Sequence, residues 1–171
     1  TTDATCYEYS DGTVSVTPIG GTFPYTIDYG GINPTALSSA TYSFTLTDVN
    51  GCLSIPPLNI FNISEPADIT PTISSGATSC SGDSTGSATV TVTGGTFPYT
   101  YFWSPTGGTT STINNISAGW NYVTVTDANN CSPLSGPASV LITSPPPLIV
   151  SIVPTNVSCY SFNDGGATAT A

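Results

Sequence analysis

Three sets of residues in this chain have the types and spacing to do chemistry. The chain carries ten Asp and Glu, five Cys and no Lys, Arg or His in 171 residues, for a net charge of -10. The first set is Asp48, Asn50, Asp127 and Asn129, which put hard oxygen donors into two tight turns. Calcium takes six to eight such oxygens. The same Asp-x-Asn spelling also makes an ordinary hairpin turn, in which the side chains bond their own backbone. The turn is the simpler reading, and calcium is the one cofactor left open. The second set is Asn62, Asn115 and Asn156, each two residues before a serine, the acceptor pattern for N-linked glycosylation. The third is the carboxylates Asp3, Glu8 and Asp11, which a glycosidase would have to pair across a substrate. Acids scattered over a solvated surface account for them more simply, and no enzyme is expected.

The missing residues exclude more than the present ones suggest. Without cations the chain cannot neutralise phosphates or anionic lipid heads, so neither nucleic acid nor a membrane surface is an expected partner. Without His there is no Ser-His-Asp triad and no His-ligated metal; without Lys there is no Schiff base. No apolar run approaches the roughly 18 residues of a membrane span, so no membrane insertion is expected. Hydrophobic residues are 38 % of the chain, with nine Tyr, six Phe and two Trp. That is enough to build cores, which disordered chains lack.

The elements that must position these residues come in copies. Gly20 to Thr26 reads GGTFPYT and returns unchanged at Gly94 to Thr100. Thr47-Asp48-Val49-Asn50-Gly51-Cys52 returns as Thr126-Asp127-Ala128-Asn129-Asn130-Cys131. Cys6, Cys80 and Cys159 each stand six residues before a glycine. The shift is 74 residues at the first block and 79 at the second, so the second copy carries a five-residue insertion. A period of this size marks an array of modules. Period-2 alternation at Val14 and Val16, Tyr25 to Tyr29, Phe44 and Leu46, and Leu58 and Ile60 predicts strands in the first copy. Ala88 to Val92, Tyr99 to Trp103, Val123 and Val125, and Val140 and Ile142 do the same in the second. No stretch has helical periodicity with caps. The expected fold is all-β: tandem immunoglobulin-like β-sandwich modules with Greek-key antiparallel sheets, about seven strands each. Pro-rich junctions place the modules at 1–66, 67–145 and, incomplete, 146–171. The first lacks the leading strand that Ile69 to Ile73 and Ile149 to Val153 give the others.

Four cysteines allow three pairings. Repeat symmetry favours Cys6–Cys52 and Cys80–Cys131, each closing a loop worth about 4 kcal/mol on the chain-entropy model. Buried free thiols are the alternative. Cys159 aligns with the first member of each pair and is expected unpaired within this chain. Adjacent Phe102 and Trp103 should face opposite ways, and Trp120 is expected at the surface. Phe23, Tyr25, Phe97, Tyr99, Tyr101 and Trp103 either fill cores or form a sugar-binding shelf.

The order Cys, Gly six residues on, an alternating strand, GGTFPYT, an aromatic strand, a Tyr strand and TDxNxC resembles the SprB-type repeat of large bacterial gliding adhesins. The resemblance spans nearly all of both copies. It implies a secreted, cell-surface, Ig-like repeat with a structural or adhesive role and no catalysis. It also implies a tyrosine six residues before the Asp. Tyr42 keeps that place, so a tyrosine-corner hydrogen bond is expected in the first copy, whereas Asn121 holds it in the second. The expected partners are further repeats or copies of the chain itself. Two alternatives stand beside the extracellular structural role: a filament subunit that donates its Pro147 to Val153 strand to a neighbour, and a glycan-binding module.

Overall fold

The computed structural model describes residues 1–56 and 59–171, and it is all-β, with eleven strands and no helix among the described residues. Leu58, read as part of a strand, lies outside the described residues. The second copy forms six strands: β4 (Thr70–Gly76), β5 (Gly86–Thr93), β6 (Thr100–Ser104), β7 (Thr112–Ile116), β8 (Gly119–Thr126) and β9 (Ala138–Ile142). They make two antiparallel three-stranded sheets, β4-β5-β7 and β6-β8-β9. Alternating Ala88 and Val90 on β5 meet Trp103, Val123, Val125 and Ile142 from the other sheet in one buried cluster. Trp103 is wholly buried and its indole N–H donates to the Thr110 carbonyl at 2.9 Å. Phe102, its neighbour, points outward and is exposed, as is Trp120.

Strand β7 has no alternating pattern in the sequence, because Asn114 and Asn115 break it. Asn115 takes a positive φ of 57°, and the pairing with β5 shifts register between Gly86 and Ser87. This strand has a large consequence. β6 and β7 are joined by the Pro105–Ser111 return, so β8 runs from the Gly86 end of the molecule to the Thr93 end. The Cys80 loop and the TDxNxC turn therefore sit at opposite ends of the same copy.

The first copy has one three-stranded sheet: β1 (Tyr25–Asp28), β2 (Ala40–Asp48) and β3 (Asn59–Ile63), in that order. The expected strand at Val14 and Val16 does not form. Residues 12–14 make only isolated contacts, Gly12 with Leu37, Thr13 with Thr2, and the Val14 N–H with the Pro34 carbonyl. The Thr2–Thr13 contact stands where Gly76 pairs with Ser87 in the second copy. Val14 and Val16 stand where Ala88 and Val90 stand in the second copy, and both are half-buried where those counterparts are buried. The third segment is a hairpin of β10 (Ser151–Thr155) and β11 (Gly166–Thr170), in the register of β4 and β5. Tyr42 donates to the Ser38 carbonyl at 3.0 Å, the corner contact expected of the first copy. Asn121, at that place in the second, is buried with Oδ1 unpartnered.

Candidate functional site: a cysteine loop seated in the next repeat

The chemistry of the molecule concentrates where the first copy meets the second. Ala4 N–H bonds the Ser64 carbonyl (2.9 Å), holding the first-cysteine end of copy one beside the outgoing linker. Past the linker, Gly95 N–H bonds the Ala67 carbonyl (2.8 Å) at the TDxNxC end of copy two. These two ends abut, and Cys6 and Cys131 form a disulfide with a Cα–Cα distance of 5.7 Å.

This corrects the pairing Cys6–Cys52 and Cys80–Cys131. Within one copy the two cysteines flank opposite ends of β8, whose eight residues span roughly 26 Å at ~3.3 Å each. A disulfide needs Cα atoms within about 7 Å. Cys52, Cys80 and Cys159 are free and exposed among the described residues.

Local sequence builds both halves of this joint. The receiving half is the TDxNxC turn. Asp127 Oδ1 accepts the N–H groups of Asn129 (2.8 Å) and Cys131 (2.9 Å), and Oδ2 accepts that of Thr96 (2.9 Å) from the GGTFPYT loop. Tyr99 clamps the same loop, donating to the Gly94 carbonyl at 2.5 Å. The first copy repeats every contact. Asp48 takes Asn50, Cys52 and Thr22 N–H groups at 2.9–3.1 Å, and Tyr25 donates to Gly20 at 2.7 Å. These carboxylates are turn acceptors, and no three His, Cys, Asp or Glu side chains gather as metal ligands among the described residues. The Cys52 N–H, first among the Asp48 donors, holds that carboxyl below its ordinary 3.8.

The inserted half is the loop after Thr5. Asp11 accepts both the hydroxyl and the N–H of Thr5, which lowers its pKa, and the Tyr9 N–H returns to the Cys6 carbonyl at 3.2 Å. Glu8, at a positive φ, donates its N–H to the Glu65 carboxylate (2.7 Å). Asn129 of the second copy donates its side-chain amide to the Thr5 carbonyl at 3.0 Å. Tyr7, Tyr9, Pro66 and Leu134 wall the remaining crevice of about 160 Å³. Glycine six residues after the cysteine is needed for close approach. A Cβ on Gly12 would stand 2.7 Å from Ile63 Cγ2, and one on Gly86 2.6 Å from Ile142 Cγ2.

The Asp3 and Asp11 carboxylates thus hold the backbone N–H groups of Ser64 and Thr5 at the joint, Glu8 is held there by its own N–H, and the three do not line a common pocket among the described residues. Asn62, Asn115 and Asn156 are all exposed, and Asn62 accepts a bond from the Thr41 hydroxyl (2.8 Å). Phe23 and Phe97 are exposed in equivalent places, each edge-on to the tyrosine two residues later. The sequence held a signal for the receiving half, the twin Asp acceptors, but none for which cysteine enters it.

The fold and this joint define a tandem β-repeat in which one repeat plugs covalently into the next. The family model described as SprB repeat matches residues 1–28 and 78–109. Both matched stretches, which are similar to the SprB repeat, run from the first-cysteine region through the GGTFPYT block. No curated protein and no solved structure matches the chain.

Proposed function

We propose that this chain is a non-catalytic structural and adhesive segment of an extracellular surface protein, with modules at 1–66, 67–145 and 146–171. The observation that carries the reading is the disulfide joining successive copies. Such a bond persists in oxidising compartments outside the cytosol, and it adds a covalent cross-link to the Pro-stiffened junction between the copies. The two SprB-repeat matches support the same placement, because the resemblance implies a cell-surface adhesin repeat with no catalytic role. The sheet orders β4-β5-β7 and β6-β8-β9, sharing one core, support an immunoglobulin-like Greek-key sandwich for the second module. Antibodies raised against the purified chain test the reading. Labelling of intact source cells, lost after protease shaving, is the expected result. Signal seen only after lysis would refute it.

A further inference from the structure

The joint at Cys131 has an open counterpart at Cys52. The Asp48 turn and the Tyr25 clamp reproduce the receiving half, and a crevice of about 230 Å³ lies beside Cys52. Three apolar side chains stand uncovered on its rim, Ile19 and Ile55 each 97 % exposed and Leu53 over half exposed. Among the described residues Cys52 is a free, exposed thiol.

A loop that fits this crevice is present in the same chain. Cys6-Tyr7-Glu8-Tyr9-Ser10-Asp11 fills the second copy's crevice; Cys159-Tyr160-Ser161-Phe162-Asn163-Asp164 repeats its chemistry. Phe162 N–H bonds the Cys159 carbonyl at 3.2 Å, as Tyr9 does Cys6. Ser158 N–H bonds Asp164 Oδ1 at 2.9 Å, as Thr5 does Asp11, and Ser161 has positive φ (68°) like Glu8 (59°). Tyr160 and Phe162 stand where Tyr7 and Tyr9 line the filled crevice, yet Tyr160 is 98 % exposed. The Cys80 loop keeps the backbone bond but offers Ser81 and Asp83 at those two places.

We propose that the crevice at Cys52 is a docking site for the Cys159 loop of a second copy of this chain, closed by a Cys52–Cys159 disulfide. The patch and the loop are different surfaces, so association is head-to-tail and gives open chains. The oxidant is a low-molecular-weight disulfide. The Cys159 thiolate attacks one of its sulfurs and displaces one small thiolate. The Cys52 thiolate then attacks the Cys159 sulfur of the mixed disulfide and displaces the other. Two protein thiols lose their protons and become one S–S bond, and the small disulfide is reduced to two thiols. This deepens the structural reading by naming a partner. Its readout is a bond in purified protein, so it can fail while cell-surface labelling succeeds, and the reverse.

The test incubates the full chain with oxidised glutathione and follows it on non-reducing gels, with mass spectrometry of the linked peptides. The expected result is a ladder that reductant collapses, containing a Cys52–Cys159 peptide. Cys159→Ser should abolish it and Cys80→Ser should leave it. Tyr160→Ala should slow its growth several-fold with the monomer's circular dichroism unchanged. A chain that stays monomeric overturns the proposal. So does a growth rate indifferent to Tyr160, which would indicate random collision of exposed thiols. A ladder lost with Cys80→Ser and kept with Cys159→Ser also overturns it. That outcome would instead place the intermolecular bond at the exposed Cys80.

Discussion

Replacing Cys131 by serine opens the disulfide between the copies, and the loss can be worked from the loop it closes. The bond spans 125 residues. On the chain-entropy model a loop of that length restricts the unfolded chain by about 5 kcal/mol. For a chain of this size each kcal/mol moves the melting temperature by about 2–4 °C, so a drop of roughly 10–20 °C is expected. Denaturant unfolding followed by tryptophan fluorescence measures it. Cys6→Ser should lose the same amount, because it removes the same bond, and the double variant should lose no more than either single one. Wild type in reductant should coincide with the variants. Cys52→Ser is the decisive control: Cys52 is exposed and unbonded, so its midpoint should match wild type. Had Cys6 bonded Cys52, the loop of 46 residues would have made Cys52→Ser cost about 4 kcal/mol. A Cys52→Ser variant as unstable as Cys6→Ser would refute both the crossed pairing and the opposite-ends argument behind it.

Two further outcomes follow from the joint. Gly94→Ala should be more destabilising than Gly20→Ala by about 1–3 kcal/mol. Both glycines have positive φ, but a Cβ at Gly94 would overlap the Asp68 carbonyl of the linker, whereas at Gly20 it meets open space. Equal unfolding midpoints would show that the linker is not seated there. Acid should weaken the chain in a defined window. Asp3 is held below its ordinary 3.8 by the Ser64 hydroxyl and N–H, Asp11 by those of Thr5, Asp48 by the Cys52 N–H and Asp164 by the Ser158 hydroxyl and N–H. Folded-state values below the unfolded one stabilise above it and lose that contribution as pH falls through the lowered range. The denaturant midpoint should stay flat from about pH 7 to pH 5 and fall below about pH 4; a midpoint that rises on acidification would contradict these contacts.

The sequence by itself determined the strands that obey local rules. Tyr25 to Asp28, Thr100 to Ser104, Gly119 to Thr126 and Ala138 to Ile142 are strands because alternating apolar residues need a single buried face, a property written within a few residues. The twin TDxNxC turns were equally legible, since Asp48 and Asp127 each organise their own backbone. Tertiary structure alone decided three things. β7 forms despite its broken alternation because its partner β5 supplies the pairing that Asn114 and Asn115 do not signal. Val14 and Val16 form no strand: Thr13 pairs only with Thr2 and the Val14 N–H only with the Pro34 carbonyl, whereas Ala88 to Val92 pair along the length of β4. The disulfide crosses between copies because the Pro105–Ser111 return fixes which way β8 runs, and so which end of the sheet carries Cys131. Repeat symmetry states that two cysteines are equivalent; only the path of the chain through space states which of them come within bonding distance.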